Sequence, residues 1–249
     1  MPNLLNFAIR AHNAAHKLLW PYSTPAALTP ELREIQDRAI RFRSDISDHL
    51  PTLFSESIAM RPRLIVELGV RGGESRFVFE RVAKLNDSFL VSVDMDDCSA
   101  ACSPASKWYF LKADDVLFAQ EFPAWCGEHG VSLGIDVLFI DTSHLYDHTV
   151  EEIRGWFSHL NPKSKVIFHD TNLRKLGRRM DGTLLRGWDN DRGVIRAIED
   201  FLGARLNERV DFVTTINQWV VRHWARCNGL TVLERVPGQA PVHNNGLER

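Results

Sequence analysis

Five short apolar segments, separated by helix-length stretches, constrain the fold of this chain most strongly. They are apolar throughout instead of alternating with polar residues, which is typical of strands that are buried on both faces of a sheet. Helices between such strands imply a parallel sheet that is covered on both sides. We therefore predict an α/β fold with a doubly wound, Rossmann-like, mostly parallel sheet. The five segments are Leu64–Val66, Phe89–Val93, Trp108–Leu111, Val137–Ile140 and Lys165–Phe168.

The C-terminal part of the chain supplies further strands after an Arg-rich interruption. Residues 210–215, 219–221 and 230–233 are β-type segments, and we predict that they close the sheet with an antiparallel edge hairpin. The polar stretch 171–192 is predicted to be a long loop. It is either a solvated loop or a lid over the ligand-binding edge of the sheet.

The apolar pattern does not divide the chain convincingly, so we treat residues 1–249 as one domain. We predict that residues 1–60 form an N-terminal helical extension, that residues 61–236 form the core and that residues 237–249 form a loose tail. The first twenty residues have apolar side chains at helical spacing and predict an amphipathic helix. That helix lies against the core or a dimer partner, or alternatively on a membrane surface.

The composition excludes several classes of protein. The chain has 30 Lys and Arg against 32 Asp and Glu, a net charge of -2, so it has no overall attraction to nucleic acid or to an anionic membrane. Its 4 cysteines lack paired CxxC spacing, which argues against structural zinc and for a reducing compartment. Charged residues interrupt the N-terminus where a signal peptide would be apolar. We therefore expect a cytoplasmic protein without stable membrane insertion.

The first strand leads into a glycine-rich turn, Glu67-Leu68-Gly69-Val70-Arg71-Gly72-Gly73-Glu74-Ser75. Glycines let the backbone turn sharply and approach a ligand at the start of the next helix. The spacing is GxxGG instead of the GxGxxG of dinucleotide sites, and the two flanking carboxylates would repel a pyrophosphate. The turn therefore favours a cationic cofactor, although a plain tight turn would also need its glycines.

Acidic residues end the second and third strands as well. Asp94 lies where a carboxylate can accept hydrogen bonds from both hydroxyls of a ribose, and its alternative role is that of a solvated turn residue. Asp114 lies where it could reach the amino group of an adenine. Both residues would lie at the carboxyl edge of the sheet, where ligand sites in such folds are found.

The fourth and fifth strands end in Asp141 and Asp170. A buried Asp without partners is costly, so a cation or a hydrogen-bond network must compensate. We therefore predict that the two carboxylates share one hard divalent metal. Mg²⁺ is the best candidate, because it takes one or two protein carboxylates and keeps several waters.

Two histidines accompany these acids. His144 lies three residues after Asp141, where an imidazole with a near-neutral pKa suits a general base; its alternative role is to cap a helix or to pack. His169 directly precedes Asp170. It is a metal ligand, an orienting neighbour of the metal or a buried structural histidine, and we include it among the metal-binding candidates.

Together, Glu67–Ser75, Asp94 and Phe139–His144 resemble the class I S-adenosylmethionine-dependent methyltransferases. A strand-end Asp, a His three residues later and an acid after the next strand are similar to the metal-dependent sugar O-methyltransferases of the macrocin and mycinamicin type. They are also similar to the related cephalosporin-hydroxylase-like group. The chain departs from the sugar enzymes at His169, where they usually carry an acid, and at Pro162-Lys163-Ser164, where Pro-Gly-Gly is usual.

The resemblance implies an S-adenosylmethionine-dependent O-methyltransferase with S-adenosylmethionine and Mg²⁺ as cofactors. It implies that Asp141 and Asp170 hold the metal and that His144 is the catalytic base. His169, where the chain departs from the sugar enzymes, stays a further metal-binding candidate. It implies that Glu67, Gly69 and Gly72 hold the methionine part of the cofactor and that Asp94 holds the ribose. Our full set of cofactor-binding candidates adds Arg71, Glu74, Ser75, Asp114 and Asp141.

The acceptor that the resemblance implies is a hydroxyl of a saccharide or glycoside, so the expected partner is a small molecule or an oligosaccharide. A mannose or methylmannose oligosaccharide from polysaccharide biosynthesis is a specific suggestion. We expect no nucleic-acid partner, and the amphipathic N-terminus is compatible with a homodimer. Three alternatives stay open: a non-haem iron oxygenase that uses His144, His169 and an Asp, a cofactor-binding module without chemistry, and a catechol-type methyltransferase.

Overall fold

The computed structural model describes most of the chain. The chain divides into two compact units, Met1–Glu34 and Ile35–Arg249. The amphipathic segment predicted for the first twenty residues and the predicted tail lie outside the described residues. The described residues are 29–42, 44–101, 107–173, 176–178, 184–186 and 192–236.

Strands and helices alternate along the chain in the predicted order. Short 3-10 turns occur at Ser47–His49, Ser99–Ala101 and Phe157–His159. The helices are α1 (Pro30–Arg41), α2 (Leu50–Ile58), α3 (Glu74–Asn86), α4 (Asp115–His129), α5 (Tyr146–Trp156) and α6 (Gly193–Leu202). The strands are β1 (Leu64–Leu68), β2 (Phe89–Asp94), β3 (Trp108–Lys112), β4 (Ile135–Ile140), β5 (Leu160–His169), β6 (Leu176–Arg178), β7 (Leu184–Arg186), β8 (Phe212–Ile216), β9 (Trp219–Trp224) and β10 (Leu230–Arg235).

One eight-stranded sheet organises the second unit, in the order β3-β2-β1-β4-β5-β10-β9-β8. The first five of these strands are parallel to one another, whereas β10 pairs antiparallel with both β5 and β9, and β8 pairs antiparallel with β9. The predicted fold class is thereby confirmed, including the antiparallel C-terminal edge. The order reverses between β1 and β4, and ligands in open α/β sheets bind at such a switch point.

The centre of the sheet is buried, as its uninterrupted apolar sequence predicts. All five residues of β1 are buried, and Val66 of β1 pairs with Val91 of β2 and Leu138 of β4. Trp156 and Phe122 are fully buried between α4 and α5, with their ring centroids 5.1 Å apart. Each such side chain contributes about 1.5–3 kcal/mol through its burial. This packing holds the carboxyl ends of the central strands in fixed positions.

The stretch 171–192 differs from the predicted loop. Its described backbone contains a short antiparallel hairpin, in which Leu176 of β6 lies opposite Arg186 of β7. The prediction of a loop rested on the many arginines of this stretch, which suggested a solvated segment. Separately, none of the helices in the described part of the chain is long and apolar enough to cross a membrane.

Candidate active site at the carboxyl edge of the sheet

A cavity of about 280 Å³ lies at the predicted edge, where the strand order reverses. Four of the predicted site residues line it: Gly69 and Arg71 from the turn after β1, Asp94 from β2 and Asp141 from β4. A larger groove of about 680 Å³ lies between α5 and α6, and none of the predicted site residues lines it. We therefore place the candidate site in the smaller cavity.

The turn after β1 approaches the end of β4 so closely that it requires glycine. Gly69 has φ +87°, and a Cβ on this residue would lie 2.0 Å from the carbonyl oxygen of Asp141. Gly73, with φ +81°, begins α3. Gly72, by contrast, has open space around the position of a Cβ and does not line the cavity.

Glu67 lies below the turn, inside the protein. Its side chain is fully buried and accepts hydrogen bonds of 2.6 Å from the hydroxyls of Ser75 and Ser92. Burial raises the pKa of Glu67 to about 7, although these two hydrogen bonds act in the opposite direction. Glu74 pairs with Arg38 at 2.7 Å. Glu67, Glu74 and Ser75 therefore support the turn and do not line the cavity.

Asp94 connects the end of β2 to the glycine turn. One of its carboxylate oxygens accepts hydrogen bonds from the amides of Val70 (2.8 Å) and Arg71 (3.1 Å), and the other from the amide of Asp96 (2.9 Å). Burial raises the pKa of Asp94, but these amide hydrogen bonds outweigh it and hold the pKa below its usual value. The carboxylate is thus ionised and fixed in the cavity wall.

The acid after β3 that reaches the cavity is Asp115 instead of Asp114. Asp114 caps α4, where its carboxylate accepts a hydrogen bond from the amide of Leu117 at 3.0 Å. Asp115 forms a second group with His148 and Glu152, whose potential metal-ligand atoms lie within 4.8 Å of one another. The sequence prediction missed this group, although the i, i+4 spacing of His148 and Glu152 on α5 is a detectable signal.

Residues at the carboxyl ends of β4 and β5 come together. His144 Nε2 lies 3.2 Å from Asp141 Oδ1 and 2.9 Å from Asp170 Oδ2. His169 Nδ1 lies 3.2 Å from the same Asp141 oxygen and 3.6 Å from Asp170 Oδ1. The potential ligand atoms of Asp141, His144 and Asp170 all lie within 4.8 Å of one another.

The electrostatics of this cluster are dominated by its carboxylates. Burial lowers the pKa of His144, but the hydrogen bonds and charges of Asp141 and Asp170 outweigh it and raise the pKa to about 10. Burial also lowers the pKa of His169, but the carboxylates, mainly that of Asp141, outweigh it and raise the pKa to about 9. Burial alone would raise the pKa of Asp141. The charge of His169 and the hydrogen bonds of Asp141 to both histidines lower it by more, so the pKa of Asp141 is well below its usual range. The cluster is therefore built to hold positive charge between two carboxylates.

The turn between β9 and β10 supports the cluster from behind. The carbonyl of Cys227 lies 3.3 Å from His169 Nε2, and the amide of Asn172 donates to the carbonyl of Asn228 at 2.6 Å. Cys227, Asn228 and Gly229 all have positive φ, and a Cβ on Gly229 would lie 2.4 Å from the Asn172 nitrogen. This turn was not among the predicted site residues, because it is remote in sequence from the residues that it supports.

Comparisons with known proteins agree with this geometry. Residues 66–171 match the family described as a methyltransferase domain. A segment of 130 residues is 29% identical to the uncharacterized protein y4gI of Sinorhizobium fredii, and the match covers 48% of this chain but only 14% of that protein.

Solved structures share the fold at low sequence identity. The SAH-bound methyltransferase of Podospora anserina has a TM-score of 0.56 and 11% identity, with 92% of this chain and 95% of that chain covered. The mycinamycin-pathway methyltransferase MycE, in complex with Mg, SAH and mycinamycin VI, has a TM-score of 0.54 and 14% identity, with 86% of this chain and 57% of MycE covered. These likenesses confirm the predicted Rossmann-like α/β fold.

Proposed function

We propose that this chain is an S-adenosylmethionine-dependent O-methyltransferase that uses a divalent cation and methylates a hydroxyl of a saccharide or glycoside. The observation that carries the proposal is the convergence of Asp141, His144 and Asp170, because Asp141 also lines the cavity together with Gly69 and Asp94. One wall thereby serves a cofactor, and the adjoining cluster serves an acceptor hydroxyl.

The cavity suits the cofactor in shape and charge. Gly69 gives the ligand close access to the backbone, and Asp94 presents an ionised carboxylate at the position proposed for the ribose. Asp96, Asp115 and Asp141 add further acids to the lining, whose field favours a cationic sulfonium over a pyrophosphate. Asp115, which lines the cavity, replaces Asp114 as our candidate for the residue that binds the adenine amino group.

The cluster also fits a divalent cation. Asp170 is 5% exposed, and its Oδ1 has no hydrogen-bond partner among the described residues. A buried carboxylate oxygen without a partner is costly, and a cation between Asp170 and Asp141 would satisfy it. MycE, which shares the fold, was solved with Mg. A bound cation would supply a Lewis acid that lowers the pKa of an acceptor hydroxyl.

The side chains of the cluster would bind and move the proton of the acceptor hydroxyl. His144 lies at the edge of the cluster and would be the base when a cation occupies the site. The charges of Asp141 and Asp170, which otherwise raise the pKa of His144 to about 10, would then be neutralised, and the neutral imidazole could accept the proton of an acceptor hydroxyl. Asp141 and Asp170 orient its Nε2 and stabilise the imidazolium that results. The residues of the cavity wall would hold S-adenosylmethionine beside the cluster, and alignment of its methyl group with the acceptor oxygen would supply much of the acceleration in methyl transfer.

A saccharide acceptor rests on the family resemblance and on the chemistry of the cluster. Neighbouring hydroxyls of a sugar can bind one cation together, whereas an isolated alcohol cannot. The mannose or methylmannose oligosaccharide suggested by the sequence belongs to this class of acceptor.

Two measurements test the proposal. Calorimetric titration with S-adenosylhomocysteine should give one-site binding in the micromolar range, and labelled S-adenosylmethionine should transfer its methyl group to members of a saccharide panel in a reaction that EDTA stops. Simple catechols, tested in parallel, should not be methylated. Absence of S-adenosylhomocysteine binding by folded protein, or oxygen consumption with Fe²⁺ in place of methyl transfer, would overturn the proposal and favour the oxygenase alternative.

A further inference from the structure

Two imidazoles separate the cluster from an all-oxygen magnesium site. One is that of His144, whose Nε2 is a potential ligand atom beside Asp141 and Asp170, and the other, more deeply buried, is that of His169. Its side chain is 1% exposed and lies at the end of β5, directly before Asp170. Its Nδ1 faces Asp141 Oδ1 at 3.2 Å and Asp170 Oδ1 at 3.6 Å. A nitrogen atom therefore occupies a position beside both carboxylates.

The ring of His169 is held in this orientation from the opposite side. Its Nε2 lies 3.3 Å from the carbonyl of Cys227, and because a carbonyl only accepts, Nε2 carries a hydrogen. The His49 ring packs against it edge-on, with ring centroids 5.9 Å apart. The Cys227 thiol in turn donates to the carbonyl of Asp45 at 2.8 Å. Nδ1 therefore stays directed at the carboxylates.

The remaining atoms of the cluster complete a mixed donor set. Asp170 Oδ1 is the oxygen without a hydrogen-bond partner among the described residues, and it lies on the side of His169 Nδ1. Metal-bound histidines usually donate their second ring N–H to a carbonyl or carboxylate, as His169 does to Cys227. Imidazole nitrogen suits first-row transition metals, whereas Mg²⁺ prefers oxygen ligands and water.

We propose that the cation site takes a first-row transition metal of the Mn²⁺ type in preference to Mg²⁺, with His169 Nδ1 as a ligand beside Asp141 and Asp170. The proposal rests on the proposed function for the position of the cation, and it replaces the Mg²⁺ expected from the sequence. His144, which is more exposed than His169, remains the base.

The test uses metal-free full-length protein with Mn²⁺ and Mg²⁺ alone as probes. Competition titrations should give a Mn²⁺-over-Mg²⁺ selectivity that falls about tenfold or more in His169→Asp, since this change replaces nitrogen by oxygen. Electron spin-echo measurements on bound Mn²⁺ should show coupling to a ¹⁴N nucleus that survives in His144→Gln and is lost in His169→Gln. His129→Gln, which alters an exposed histidine on α4, is the matched control and should leave both readouts unchanged.

Several outcomes would overturn the inference. These are bound Mn²⁺ without ¹⁴N coupling in the native protein, an unchanged selectivity in folded His169→Asp, and coupling that disappears in His148→Gln instead of His169→Gln. The last result would place the metal in the group of Asp115, His148 and Glu152. The native-protein spectrum gives an answer even where a His169 variant fails to fold. Methyl transfer is measured in a separate assay. If that assay shows no methyl transfer, the metal titrations and spectra still decide which metal the site prefers.

Discussion

Gly69 and Asp141 are in such close backbone contact that the ends of β1 and β4 form one rigid corner of the cavity. The amide of Asp141 donates to the carbonyl of Leu68 at 2.9 Å, and the amide of Gly69 donates to the carbonyl of Val93 at 2.9 Å. A Cβ on Gly69 would lie 2.0 Å from the Asp141 carbonyl oxygen. The strand ends cannot move apart to make room for a Cβ without losing these hydrogen bonds. The residue at position 69 therefore has to be glycine.

Gly69→Ala should therefore destabilise the protein and weaken cofactor binding. The strain of a positive φ and the collision with backbone together cost about 3 kcal/mol or more. Denaturant unfolding and titration with S-adenosylhomocysteine measure the two effects. Gly72→Ala is the matched control, since a Cβ there would meet open space, and it should change stability by less than about 1 kcal/mol. Equal effects of the two substitutions would contradict this view of the corner.

Glu67 should give the protein a characteristic pH dependence of stability. Its folded-state pKa of about 7 lies above the ordinary value of 4.5, so the folded state binds a proton that the unfolded state has released. The free energy of unfolding should then fall as the pH rises from 4.5 to about 7, by a total on the order of 3 kcal/mol, and level off above that range.

Glu67→Gln should remove this fall, because the amide does not ionise and can still bond to the hydroxyls of Ser75 and Ser92. Urea unfolding across pH 4.5–7.5 gives the comparison. Glu121→Gln, on an exposed position of α4, controls for the loss of one negative charge. If wild type and Glu67→Gln lose stability in parallel over this range, burial of the Glu67 carboxyl is not the cause.

The sheet and the outline of the site could be predicted from the sequence because both depend on local patterns. Uninterrupted apolar segments indicated the parallel strands, and the residues directly after them had to lie at one edge. Gly69, Asp94 and Asp141 accordingly line the cavity, and Asp170 lies beside Asp141 and His144.

The remaining features of the site depend on tertiary contacts, which local sequence patterns do not reveal. The first turn of α4 decides that Asp114 caps the helix while Asp115 reaches the cavity, and a one-residue difference of this kind is not visible in an acidic pair. His49 and Cys227 come from distant parts of the chain, and both contact His169. Sequence order alone could not bring these three together.

Asp94 should be needed for cofactor affinity. Asp94→Ala removes the carboxylate proposed to bind the ribose and frees the amides of Val70 and Arg71, so binding of S-adenosylhomocysteine should weaken about tenfold to a hundredfold. Asp94→Asn, which keeps one oxygen acceptor, should have an intermediate effect. Among the described residues, the exposed Asp97 bonds to Ser99 in its own turn, and Asp97→Ala serves as the control for calorimetry. Unchanged affinity in Asp94→Ala would move the ribose site elsewhere.

His144 should matter for turnover and not for cofactor binding. It has φ +61°, and asparagine tolerates this backbone conformation well, so His144→Asn removes the imidazole with little strain. Loss of a general base should lower kcat about 10²- to 10⁴-fold, while the Kd for S-adenosylhomocysteine changes little because His144 does not line the cofactor cavity. His159→Asn is the matched control, since that ring bonds to the carbonyl of Ala119 away from the cluster. A methyl-transfer rate in His144→Asn equal to that of wild type would remove His144 from the mechanism and leave proton removal to another group or to water.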